Sequence, residues 1–229
     1  MKTIGLLGGM SWESTALYYK IINEQVKQRL GALHSAKIIL YSVNFHEIEQ
    51  LQMAGEWEKA GRILADAARA LERAGADFIV LCTNTMHKVA GHITDAVNIP
   101  LLHIADATAA RINTAGLWKV GLLATRFTME QDFYKARLQR CGIDVIVPAD
   151  QERQAVHDII YNELCQGIIR EKSRDLYRQV IASLTDAGAE AIILGCTEIT
   201  LLVRQEDASV PLFDTTFIHA EDAVNASLR

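Results

Sequence analysis

Ala187-Gly188-Ala189-Glu190-Ala191-Ile192-Ile193-Leu194-Gly195-Cys196-Thr197-Glu198 decides how the chain is read. It has the form of a helix end, a glycine stop, a buried parallel strand and a polar tip carrying a thiol. A near copy lies earlier, Ala74-Gly75-Ala76-Asp77-Phe78-Ile79-Val80-Leu81-Cys82-Thr83-Asn84-Thr85, and aligns with it without a gap. In this register Cys196 falls opposite Thr83, and Cys82 falls opposite Gly195. Polar tips at the carboxyl ends of parallel strands are where α/β folds place ligands.

Working outward, the same landmarks recur in the same order. Ile4-Gly5-Leu6-Leu7-Gly8-Gly9 is echoed by Val120-Gly121-Leu122-Leu123-Ala124-Thr125, and Ile99-Pro100-Leu101-Leu102-His103-Ile104 by Val210-Pro211-Leu212-Phe213-Asp214-Thr215. Helical spacing is expected over 13–30, 56–74, 86–97, 128–140, 151–170 and 173–187, and strands at 36–43 and 145–147. Segment 44–52 reads as a loop. Strands alternating with helices argue for parallel sheets, and the repeated order argues for an internal duplication. The fold expected is α/β, two pseudo-symmetric lobes, each a short parallel sheet flanked by helices, with the active site in the cleft between them. Equivalent residues on opposite sides of one ligand suit chemistry that treats two faces of one carbon alike.

Composition narrows the function. With 229 residues, 50% hydrophobic and 22% charged, this is an ordinary globular chain. No apolar run approaches the ~18 residues a membrane span needs, and Met1-Lys2-Thr3 leads into a strand, so a cytoplasmic protein is expected. A formal charge of −5 without a charged run gives no footprint for nucleic acid. The expected partner is a small molecule. Four cysteines, Cys82, Cys141, Cys165 and Cys196, lack CxxC spacing, so neither a metal site nor disulfides are expected. Cys82, Cys141 and Cys165 read as packing residues, as do Trp12, Trp57 and Trp118.

Four motifs in order, Ile4-Gly5-Leu6-Leu7-Gly8-Gly9-Met10, Thr83-Asn84-Thr85-Met86-His87, Gly121-Leu122-Leu123-Ala124-Thr125-Arg126-Phe127-Thr128-Met129 and Leu194-Gly195-Cys196-Thr197-Glu198-Ile199, make the chain resemble the aspartate/glutamate racemase superfamily of cofactor-independent racemases. The resemblance covers essentially the full length. It implies one catalytic cysteine from each lobe, no organic cofactor or metal, and lobes at 1–98 plus 210–229 and at 99–209, with the strands near Pro100 and Pro211 and the C-terminal helix crossing between them. A homodimer is compatible with it. The first motif in the family is Cys-Asn-Thr-x-His; here Thr83 replaces the cysteine. Cys82 is no simple substitute, because adjacent strand residues point to opposite faces.

Racemisation without a cofactor needs a base for a weakly acidic α-proton and donors for the developing charge. Cys196 is expected as thiolate base for L-substrates, its acidity raised by a helix starting at Thr197. Thr83, directly or through water, is expected to return the proton from the other face, with slower turnover of D-substrate. Candidate substrate-binding groups are Met10, with the backbone N–H groups near Gly9, and Gln52, Asn84, Thr85, Thr125, Thr128, Thr197 and Glu198. Glu198 is expected to orient Thr197 and the substrate amino group. His87 reads as a structural group. Arg126 and Gln52 are alternatives for recognising the substrate side chain, since 44–52 holds no Lys or Arg. Aspartate or glutamate is the first substrate expectation, and neutral polar amino acids its rival. A single-cysteine decarboxylase or isomerase of the same fold, or a non-catalytic amino acid binding protein, are the alternative functions.

Overall fold

The computed structural model describes all residues, Met1–Arg229. The elements run β1 (Ile4–Gly8), α1 (Trp12–Leu30), β2 (Ile38–Ser42), α2 (Phe45–Met53), α3 (Trp57–Arg73), β3 (Phe78–Leu81), a 3-10 turn (Thr85–Val89), α4 (Ala90–Thr94), β4 (Leu101–Leu102) and α5 (Ile104–Thr114). They continue with β5 (Lys119–Ala124), α6 (Arg126–Glu130), α7 (Asp132–Arg140), β6 (Asp144–Ile146), α8 (Asp150–Asn162), α9 (Glu171–Asp186), β7 (Ala191–Gly195), α10 (Ile199–Leu202), β8 (Leu212–Asp214) and α11 (Thr215–Leu228). No helix is long and apolar enough to cross a membrane.

Both copies of Ala-Gly-Ala stop a helix in the same way. Gly75 and Gly188 adopt φ of +97° and +95°, a region glycine enters without a Cβ penalty. The next residues close the turn, Ala76 N donating to Leu71 O at 3.1 Å and Ala189 N to Leu184 O at 3.0 Å. Each turn feeds the chain straight into a fully buried strand, β3 or β7.

Each strand then takes the second-central place in an all-parallel sheet, ordered β2-β1-β3-β4 in one and β6-β5-β7-β8 in the other. Registers correspond: Ile4 faces Phe78 as Val120 faces Ala191, and Ile79 faces Leu101 as Ile192 faces Leu212. Parallel strands need helical crossovers, and the near-continuous apolar strands require helices on both faces.

Two compact units result, Met1–Ile104 with His219–Arg229, and Ala105–Ile218. The limits differ from those expected at 98/99 and 209/210. β4 pairs with β3 and β8 with β7, so the two proline-led strands stay in the sheets of their own units instead of exchanging. Only the helix α11 leads the chain back, through His219–Arg229. Other differences are local. Segment 45–53 is helical, capped by Asn44 Oδ1 accepting from His46 N at 3.3 Å. The helix expected over 86–97 is a 3-10 turn followed by α4, 128–140 breaks at Gln131, and 151–170 ends at Asn162.

Trp12 and Trp118 are exposed, 66% and 60%, so they do not pack as expected, and Cys141 lies exposed as well. Trp57 is half-buried.

The first unit buries Tyr18 and His219 completely. His219 Nε2 lies 3.0 Å from the Leu102 carbonyl, which can only accept, so Nε2 carries the proton and Nδ1 accepts from Tyr18 Oη at 2.9 Å. Burial lowers the His219 pKa from 6.5 to about 4. The folded protein therefore binds fewer protons than the unfolded chain between those values, and stability falls as pH drops through that window. The loss is about 3 kcal/mol. In urea titrations the unfolding free energy should fall between pH 7 and pH 4, and His219→Asn should be less stable at pH 7 and lose most of that slope. An unchanged slope in the variant would contradict the assignment.

Candidate active site

At the first unit's tips, glycine is required by close approach. A Cβ on Gly8 would stand 2.3 Å from Thr15 Cγ2, and one on Gly9, at φ +92°, would stand 2.2 Å from Val43 O. Thr15 fills this space and holds it, accepting from Gly9 N at 2.8 Å and donating to Ser11 O at 2.8 Å. The Gly9 N–H expected to face a ligand is therefore already bonded within the turn. Ser11 Oγ caps α1 by accepting from Ser14 N, and Ser14 Oγ donates to the Cys82 carbonyl at 3.3 Å. Ser11, Ser14 and Thr15 thus tie the β1 and β3 tips together. They were not singled out from the sequence; three hydroxyl residues directly after a glycine turn were the signal. The Met10 side chain packs into the core with Leu7 and Ile48, so this residue can offer a ligand little beyond its backbone.

At the β3 tip, Cys82 N donates to Leu7 O at 2.9 Å, and Thr83 N folds back to Leu81 O at 2.8 Å. The Cys82 side chain is fully buried among Ile4, Leu6 and Tyr18, and burial pushes its thiol far above the ordinary range. Thr83 stays half-buried. Asn84 and Thr85 are buried beside it. His87 fixes this tip: Ile104 N donates to Nε2 at 3.3 Å, so Nδ1 carries the proton and donates to the Thr83 carbonyl at 2.7 Å. With both ring nitrogens engaged, His87 is a positioning group. Gln52, buried on α2, donates from Nε2 to Met86 Sδ at 3.0 Å.

The second unit builds its tips differently. Thr125 precedes α6, yet its hydroxyl does not cap the helix; Oγ1 lies 3.3 Å from Thr128 Oγ1, both residues being buried. Arg126 is drawn onto α8 and its own helix, its Nη1 donating to Gln154 Oε1 at 3.3 Å and its Nε 4.0 Å from Glu130 Oε2. At the end of β7, a Cβ on Gly195 would meet Ala124 Cβ at 3.0 Å, so glycine lets the two strand ends close up.

Beyond it, Cys196 Sγ donates to Glu198 Oε2 at 2.9 Å. Thr197 and Glu198 are each 7% exposed. The expected helix start at Thr197 is absent: α10 begins at Ile199 and has four residues. The thiol is accordingly held well above its ordinary pKa, first by burial and then by the Glu198 carboxylate, with Cys165 adding to it. The expected acidification by a helix N-terminus does not occur. No cluster of three or more His, Cys, Asp or Glu side chains is placed to hold a metal ion.

Chemically, the first unit offers hydroxyl and amide groups, and its only cysteine at the tip is buried away. The second offers a thiol hydrogen-bonded to a carboxylate. Moving that proton to Glu198 creates a thiolate in a partly dry setting, a base suited to a carbon acid.

The sequence profile of the family Asp/Glu/Hydantoin racemase matches residues 7–223. The broad specificity amino-acid racemase RacX of Bacillus subtilis (strain 168) is 25% identical over 230 residues, covering 98% of each chain. Among solved structures, a candidate Asp/Glu racemase from Yersinia pestis is 61% identical with a TM-score of 0.94, and an aspartate racemase homologue from Pyrococcus horikoshii OT3 is 38% identical with a TM-score of 0.87; each covers 100% of both chains. The chain belongs to the Asp/Glu/hydantoin racemase family.

Proposed function

We propose that the protein is an amino acid racemase of the aspartate/glutamate type that inverts Cα by proton transfer alone, using no organic cofactor or metal. The observation that carries this reading is the 2.9 Å bond from Cys196 to Glu198 at the carboxyl end of β7. Glu198 accepts the thiol proton, and the Cys196 thiolate removes the α-proton of the L-substrate. Thr83, directly or through water, supplies a proton to the opposite face. Met10, Gln52, Asn84, Thr85, Thr125, Thr128 and Thr197 are the groups proposed to hold the substrate, with buried hydroxyls and amides stabilising charge that develops as Cα loses its proton.

This reading gives Glu198 a role different from orienting the substrate amino group. It also makes the two proton-transfer groups unequal, since a hydroxyl is a far weaker acid than a thiol. Enantiomers have equal free energy, so kcat/KM for inversion must be the same in both directions. Slow turnover of D-substrate can then appear only in kcat, matched by a lower KM. The substrate range follows the acidic amino acids, and the likeness to a broad specificity racemase supports including neutral ones in any assay.

In deuterated water, NMR should show loss of the α-proton signal of L-glutamate or L-aspartate. Cys196→Ala should lower this exchange by at least ~10³-fold and Glu198→Gln by about 10²-fold. Cys82→Ala should leave it within about twofold, because that thiol belongs to the core. No exchange on any amino acid would remove the racemase reading, and carbon dioxide release from a malonate would favour the single-cysteine decarboxylase in its place.

Restoring a thiol at the other tip gives a second test. Thr83→Cys should raise kcat from the D-enantiomer by about tenfold or more, thiols being far stronger acids than hydroxyls. An unchanged or lower D-side kcat in a folded variant would contradict the role proposed for Thr83.

A further inference from the structure

We propose that Lys88 reads the side-chain carboxylate of an acidic substrate at the strand tips of the first unit. The inference rests on the reading of those tips as part of the substrate site.

Placement comes first. α3 ends at Arg73 and the Ala74-Gly75-Ala76 turn leads directly into β3, so the helix runs antiparallel to the strand. α3 has 17 residues and β3 has 4, lengths of about 26 Å and about 13 Å. The start of α3, Trp57, therefore reaches the carboxyl end of β3. Lys88 lies in the 3-10 turn that follows the Thr83 tip. With three residues per turn, Lys88 shares a face with Thr85. Its Nζ sits 3.9 Å from the centroid of the Trp57 ring. Trp57 packs on the same core cluster as Met10 and Met86, and Gln52 bonds Met86.

Charge comes second. Burial lowers the Lys88 pKa, with no carboxylate near enough to offset it. Three acids on the adjoining elements are engaged: Glu56 with Lys59 at 2.9 Å, Glu58 with His92 at 3.0 Å and Glu47 with Asn44 at 3.0 Å. The face of an indole is a weak substitute for an anion, worth about 0.5–1 kcal/mol at an exposed site. A lysine on a flexible stem can leave it for a charge-assisted bond to a carboxylate. Of the two side-chain readers expected from the sequence, Arg126 is drawn onto Gln154 and Glu130, and Gln52 carries no charge to pair with a carboxylate.

Equilibrium binding of L-glutamate and L-glutamine, measured by calorimetry on the full chain, separates this role from catalysis because it requires no turnover. Lys88→Met should weaken L-glutamate at least tenfold and leave L-glutamine within twofold, and Lys88→Arg should recover most of the glutamate affinity. Equal losses for both ligands, an unchanged glutamate affinity, or a wild type that does not prefer glutamate would overturn the inference. Proton exchange, measured separately, reports on the racemase reading alone.

Discussion

A half-buried thiol bonded to a buried carboxylate cannot ionise where it stands without placing two negative charges side by side. That constraint governs Cys196 and Glu198, 2.9 Å apart at the end of a fully buried strand. Burial and the neighbouring Glu198 both hold the Cys196 thiol protonated. The same arrangement makes the reactive form accessible by a short internal transfer, thiol proton to Glu198, with no change in total charge. In the proposed function the base is generated by exchange within this pair instead of by a helix dipole, α10 beginning only at Ile199.

The two units share a topology and a strand register, yet their tips differ in chemistry. In the first, the thiol sits one residue earlier, at Cys82, where the strand directs it into the core beside Tyr18. What remains at the tip is Thr83, its carbonyl fastened by His87 to the start of α5. A one-residue displacement along a strand exchanges a surface for a core position. The same fold can therefore carry a strong acid–base pair at one tip and a weak hydroxyl at the other. In the proposed function that inequality is the source of the difference between the enantiomers.

Much of this was legible in the chain. The Ala-Gly-Ala stops and the buried strands follow from local rules, because glycine at positive φ and continuous apolar strands have few other uses. The four-stranded parallel sheets are in keeping with them. Less visible were features set by tertiary contacts. Helix 45–53 was hidden because its apolar residues, Phe45, Ile48 and Leu51, are sparse among polar ones. The Glu198 carboxylate could be placed in the first turn after the strand, but not on the thiol, since that depends on α10 starting two residues later than expected. The exposure of Trp12 and Trp118 contradicts their large apolar surface, which sequence alone assigns to packing. The polar support of Ser11, Ser14 and Thr15 depends on how closely the β1, β2 and β3 ends approach one another.

The most direct test of the account is the isotopic fate of single enantiomers in deuterated water, resolved by chiral chromatography with mass detection at early times. From the L-substrate, deuterium should enter recovered L-amino acid faster than D-product forms, because the Cys196 side exchanges and returns protons more readily than the Thr83 side. From the D-substrate, deuterium should appear in L-product with little in recovered D-amino acid. Equal retention and inversion from both enantiomers would contradict the unequal pair on which the account rests.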